Sequence, residues 1–157
     1  MILEILKSKS RDNARTPVQW NNEGNGGFTT GTPWIPVAKA YKDINAEKAV
    51  EDKDSIFYHY KKLISLRKEY DVISKGNIEM ILEEHNKVLA YTRSYDNKKL
   101  IVLSNFYGEE EKVNISKELL SNNEKVDILI SNYKDSSELK EQIILRPYES
   151  IVYYIEK

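Results

Sequence analysis

KLIVLSNF, residues 99–106, places four apolar side chains in a row, Leu100 to Leu103, in a short run rich in β-branched residues. Successive side chains of a strand point to opposite faces, so such a run offers apolar groups to both and suits a central strand. Working upstream, the stretch at 90–95, AYTRSY, alternates in the manner of a strand with one wetted face, and the turn DNKK joins the two. Five further short runs rich in Val, Ile and Tyr surround this pair: NIEMILEE, EKVNIS, KVDILIS, EQIILR and SIVYYIEK. Seven strands separated by polar turns such as EEHN predict an antiparallel β-sandwich from about Gly76 onward. Pro147 falls between two strands, where its missing amide does no harm.

Ahead of the sandwich, Ile56, Tyr60, Leu63 and Ile64 fall at helical spacing, which predicts a helix over 55–70 with Asp54 as its N-cap. Lysines and an arginine gather toward its C-terminal half, where the helix dipole favours cations. Residues 8–45 show no periodicity. Within them NNEGNGGFTTGTPWIPV carries four of the six glycines (Gly24, Gly26, Gly27 and Gly31), with Pro33 and Pro36 beside them. A loop this long is uncommon inside a compact domain and argues against an independent fold for this part. Met1 to Leu6, with Ile2, Leu3, Ile5 and Leu6, reads as one or two apolar helical turns.

Composition excludes several classes. Twenty-four basic and 25 acidic residues nearly cancel, so no broad basic surface exists for nucleic acid or an anionic membrane. Without cysteine there is neither a disulfide framework nor a thiolate metal site, which is compatible with a reducing, cytoplasmic setting. Two histidines, His59 and His85, cannot build a zinc centre, and both are expected to face solvent. No apolar run approaches the roughly 20 residues that span a bilayer, and MILEILKSKS is too short and wrongly flanked for a signal peptide. No metal and no cofactor are expected.

Four stretches together carry a resemblance: SRDNARTPVQW (10–20), GGFTTGTPWIPV (26–37), YKDINAEKAVEDKDSIFYHYKKLISLRKEY (41–70) and LRPYES (145–150). They resemble the C-terminal part of oligo-1,6-glucosidases and related α-glucosidases of glycoside hydrolase family 13, whose members include trehalose-6-phosphate hydrolases. The resemblance runs essentially end to end. It implies that residues 1–74 are a remnant of a catalytic (β/α)₈ barrel, comprising its last loop and last helix, and that 75–157 are the C-terminal all-β domain C. Active sites of such barrels are built from loops at the C-terminal face, so this loop belongs to the wall of the site. The nucleophile, the acid/base and a third carboxylate of the family lie on earlier strands.

Retaining hydrolysis needs two carboxyl groups about 5 to 5.5 Å apart, and Asp12, Glu23, Asp43 and the later acids offer no such pair, so no catalytic residue is assigned in this chain. Arg11, by the resemblance, aligns with the arginine that holds the terminal glucose together with an upstream aspartate. A guanidinium suits that task because its planar donors serve sugar hydroxyls and a carboxylate at once. The alternative is that Arg11 only braces the loop. Asp12, Asn13, Arg15, Trp20 and Trp34 are read as loop scaffold, with sugar stacking by Trp20, Phe28 and Trp34 the lesser alternative. Departures from the family occur at Val18, Asn21, Asn22 and Gly26, where the family more usually has methionine, two acids and the alanine of HAGF; Asn25 stands for its histidine.

The tyrosines Tyr91, Tyr95, Tyr148, Tyr153 and Tyr154 are read as strand packing. The expected function is therefore the C-terminal portion of an α-glucosidase for short α-1,6-linked or related glucosides, inactive on its own. Its expected partners are an oligosaccharide, the missing barrel and, through the helix stripe, a second copy. A stand-alone β-sandwich that binds glycans or serves assembly is the alternative from another class, and a trehalose-6-phosphate hydrolase is the alternative enzyme.

Overall fold

A computed structural model describes residues 11–120 and 125–156; the apolar turns expected at 1–6 lie outside them. The chain divides into two compact units, Met1–Leu63 and Ile64–Lys157.

In the first unit a long irregular segment is shaped by three 3-10 turns, η1 (Arg11–Ala14), η2 (Gly24–Gly27) and η3 (Lys39–Lys42). A short helix, α1 (Ala46–Glu51), follows, and it was not expected. Asn45 starts it: its backbone is extended and its side chain accepts the Lys48 amide at 3.0 Å, satisfying one of the donors every helix start leaves unpaired. The sequence signal was an asparagine followed by the good helix formers AEKAVE.

The expected helix is present as α2 (Ile56–Glu69). Its cap differs from expectation. The His59 amide donates to Ser55 O, which puts Ser55, not Asp54, at the N-cap position. The Ser55 hydroxyl donates to Ala49 O at 2.6 Å, tying the helix start to the end of α1.

The second unit holds a further short helix, α3 (Asp71–Lys75), and seven strands among the described residues: β1 (Asn77–Ile81), β2 (Val88–Tyr95), β3 (Lys98–Asn105), β4 (Glu111–Asn114), β5 (Lys125–Ser131), β6 (Gln142–Leu145) and β7 (Ser150–Glu156). All pairings are antiparallel, in one sheet of order β1-β2-β3-β7-β5 and a second of β4-β6. The expected sandwich is thus present, and β3 is its middle strand.

Why β3 is apolar throughout follows from its two neighbouring layers. Ile101 and Leu103 point to one side, into a core with Val88, Ala90, Ile151, Tyr153 and Ile155 of the large sheet and Val113, Ile143 and Leu145 of the small one. Leu100 and Val102 point to the other, where they meet Val72 of α3 and Tyr154. Tyr70 stacks edge-on against Tyr154 on that side, with ring centroids 5.1 Å apart. Most of the tyrosines pack as expected. Tyr148 is the correction: it lies outside the strands, is exposed, and has φ 56 in the β6–β7 turn.

Candidate functional site

The RDNA segment forms η1, closed by the Arg15 amide on Asp12 O at 3.0 Å. Arg11, Asp12 and Arg15 are all exposed. Asp12 and Arg15, read as scaffold, meet here through the backbone of one turn.

Downstream, the loop folds back on itself around Gly26. The amides of Trp20 and Asn21 both donate to Gly26 O, at 2.8 and 3.2 Å, while the Gly26 amide donates to Glu23 O at 2.9 Å. Asn25, Gly26 and Gly27 all take positive φ, between 55 and 67°. Only glycine enters this region freely, and asparagine tolerates it better than other residues. Asn25 also uses its side chain, whose Nδ2 donates to Thr29 O at 3.0 Å and Gly31 O at 2.8 Å. Gly27 has a second reason to be glycine: a Cβ there would stand 2.5 Å from Asn21 Oδ1. That oxygen accepts the Glu23 amide. At Asn21 and Gly26, two of the departures from the family pattern, the side chain or its absence builds the loop; Val18 and Asn22 are exposed.

The loop is tied to α1 by two bonds that spacing could not reveal. Ala46 N donates to Gln19 O at 2.8 Å and Glu47 N to Trp20 O at 2.9 Å, so loop carbonyls satisfy free amides of the helix start. Asn45, 6 % exposed, holds the other side through Nδ2 to Tyr41 O at 2.9 Å. Both side-chain partners of Asn45 are local, so an asparagine ahead of AEKAVE was the signal that could have found it, whereas the docking of Ala46 and Glu47 on Gln19 and Trp20 carbonyls was not legible. The aromatic side chains Trp20 and Phe28 stand about half exposed, and Trp34 is 90 % exposed. With so little of it covered, Trp34 lends the loop little packing in this unit. Side-chain amides supply the bracing.

In the sandwich, His85 departs from expectation. It is partly buried, and its Nδ1 accepts the amides of Lys87 and Val88 at 3.3 and 3.1 Å. LRPYES forms a clamped turn, with Asn105, Asn132 and Tyr133 all donating to its carbonyls. Among the described residues no group of three or more His, Cys, Asp or Glu is placed to hold a metal ion.

Residues 1–76 match the family model "Alpha amylase, catalytic domain" and 88–152 match "Alpha-amylase SusG C-terminal domain". The chain is similar from end to end to the C-terminal part of glycoside hydrolase family 13 enzymes. It is 49% identical over 156 residues, 99% of its length, to the trehalose-6-phosphate hydrolase of Bacillus subtilis, of which it covers 28%. It is 43% identical over 155 residues, again 99% of the chain, to the oligo-1,6-glucosidase of Bacillus cereus, of which it covers 27%. The crystal structure of Bacillus licheniformis trehalose-6-phosphate hydrolase superposes with a TM-score of 0.94 at 52% identity, covering 99% of this chain and 28% of that one. The chain thus spans little more than a quarter of the family members it matches. It corresponds to part of their catalytic domain followed by a C-terminal domain.

Proposed function

We propose that the longer protein to which this chain corresponds is a cytoplasmic, retaining α-glucosidase acting on short α-1,6-linked or related glucosides. Arg11 binds the terminal sugar, and the catalytic carboxylates lie outside these 157 residues. The observation that carries this is the exposure of Arg11 on a closed 3-10 turn, beside a loop fixed by its own hydrogen bonds. A guanidinium held there can approach both a sugar and a carboxylate without ordering a floppy segment first. The domain border falls at 74/75 in this reading, and the chain alone releases no 4-nitrophenol from 4-nitrophenyl α-glucoside.

A phosphorylated disaccharide is the second reading for the substrate. The higher identity to one trehalose-6-phosphate hydrolase favours it, although the Escherichia coli protein of that name is only 37% identical. Parallel assays on isomaltose and trehalose 6-phosphate separate the two.

The test of the Arg11 role is made in the longer protein. Arg11→Ala removes charge-assisted bonds worth about 1.5 to 3 kcal/mol, which lowers kcat/KM about 10- to 150-fold with folding intact. Arg11→Lys recovers part of the loss, since an ammonium lacks the planar fork. Wild-type kcat/KM in Arg11→Ala, or simple unfolding, removes the assignment. Arg15→Ala chiefly lowers Tm.

A further inference from the structure

At one end of the sandwich, β1, β2 and the segment after β3 enclose an open groove of about 300 Å³. Met80, His85, Lys87, Leu89, Phe106 and Tyr107 contribute to its lining. Three observations set this groove apart from an ordinary surface depression.

Its two aromatic rings are exposed, Phe106 at 64 % and Tyr107 at 48 %, yet their backbones are fixed. Phe106 N donates to Lys87 O at 3.1 Å, Tyr107 N donates to Asn105 Oδ1 at 3.0 Å, and Tyr107 O accepts the Tyr148 amide at 3.0 Å. The backbone bonds fix where the two rings leave the chain, Lys87 Nζ lies 5.8 Å from the Tyr107 ring centroid, and the exposed apolar faces are open to contact.

Beside them stand polar groups with capacity to spare. Because His85 Nδ1 accepts two backbone amides, the ring proton sits on Nε2. That Nε2 lies 3.8 Å from Glu111 Oε2, beyond hydrogen-bond distance, and so remains a donor with a fixed direction. Lys87 Nζ donates to Glu109 and Glu111 at 2.9 and 2.6 Å and has a third proton.

The local charge is negative. Glu83, Glu84, Glu109, Glu110 and Glu111 outnumber Lys87 and Lys112, so an anionic ligand is disfavoured and a neutral polyhydroxyl ligand is not. Aromatic faces beside a few directed donors, in an uncharged-ligand setting, are the chemistry of sugar recognition.

We propose that this groove is a second sugar site, in which a neutral α-linked glucose oligosaccharide stacks on Phe106 and Tyr107 and accepts hydrogen bonds from His85 Nε2 and Lys87 Nζ. The choice of sugar rests on the α-glucosidase reading above; the geometry of the groove does not.

The experiment is an amide-resolved NMR titration of the ¹⁵N-labelled 157-residue chain with isomaltotriose. Saturable millimolar shifts are expected at residues 85–89 and 106–107, with the indole signals of Trp20 and Trp34 unmoved. Phe106→Ala and Tyr107→Ala, each checked for an intact spectrum, should weaken binding about tenfold, the loss of one stacked ring. Trp34→Ala should leave it unchanged, and glucose 6-phosphate should bind more weakly than isomaltotriose. Absence of saturable shifts, shifts confined to the indoles, or wild-type affinity in both aromatic variants overturns the proposal. Arg11→Ala kinetics in the longer protein do not enter this titration, so the two readings fail separately.

Discussion

Arg146 and Glu149 are joined by three hydrogen bonds across a four-residue turn: Arg146 N and Nε donate to Glu149 Oε2 at 2.9 and 3.1 Å, and Nη2 donates to Oε1 at 2.9 Å. Glu149 is 3 % exposed, and Ser136 Oγ donates to it as well, at 2.7 Å. Arg146 also reaches Asp135 at 2.7 Å and lies over the Tyr133 ring. This pair closes the β6–β7 connection, and LRPYES owes its shape to it.

Burial alone would raise the Glu149 pKa, but bonds from Arg146 and Ser136 outweigh burial and hold it below the ordinary carboxylate value. Asp135 is lowered too, by Arg146. A folded pKa below the unfolded one means stability that is complete above the unfolded value and lost as pH falls through the folded one. Urea denaturation should therefore give a constant midpoint above about pH 5 and a falling one below it. Glu149→Gln should flatten that fall. Glu149→Ala, which leaves Arg146 only Asp135, should cost about 3 kcal/mol at neutral pH.

Leu100 and Leu103 lie on opposite faces of β3 and fill different clusters. Leu100→Ala and Leu103→Ala should each cost about 2 to 5 kcal/mol in chemical denaturation. The double variant should be close to additive, because the two share no cluster. Strong non-additivity would mean that β3 is not buried independently from both sides.

Gly27→Ala should strain the loop by about 1 to 2 kcal/mol, from positive φ alone. The clash with Asn21 adds to this, so Asn21→Gly should restore part of the loss. Hydrogen exchange at the Trp20 and Asn21 amides, which donate to Gly26 O, reports the effect directly. Unchanged protection in Gly27→Ala would show that the turn does not set the loop.

Asn45→Ala removes both the cap on Lys48 and the bond to Tyr41 O. A loss of about 1 kcal/mol is expected from the cap. Asn45→Asp should restore the cap but not the Tyr41 bond, since a carboxylate has no donor. Local exchange rates at Ala46 and Lys48 distinguish the two contributions.

On α2, Ile56 is 87 % exposed, and Tyr60, Leu63 and Ile64 are each more than two-fifths exposed. An apolar stripe in water favours association. Sedimentation of the chain should show a concentration-dependent rise in mass that Ile56→Lys and Tyr60→Lys reduce; a strict monomer would count against it.

Local chemistry by itself determined the strands and the long helix, and the family came through resemblance. β3 was legible because burial on both faces imposes a continuous apolar run, and the alternation of β2 was legible because one face is covered less. The loop was legible as a loop from its glycines and prolines, and RDNART only through resemblance. What tertiary structure alone decided was the work of the polar residues. Asn45 stands before α1, but the docking of Ala46 and Glu47 on Gln19 and Trp20 carbonyls depends on how the chain returns upon itself. The same holds for His85, whose place in EEHN suggests a wetted turn until two amides converge on Nδ1. Apolar residues declare themselves in sequence because the hydrophobic effect is non-directional and its periodicity is that of the backbone. Hydrogen bonds are directional and their partners are fixed only once the chain has folded, so a side-chain amide or imidazole acquires its role from geometry that no local pattern contains.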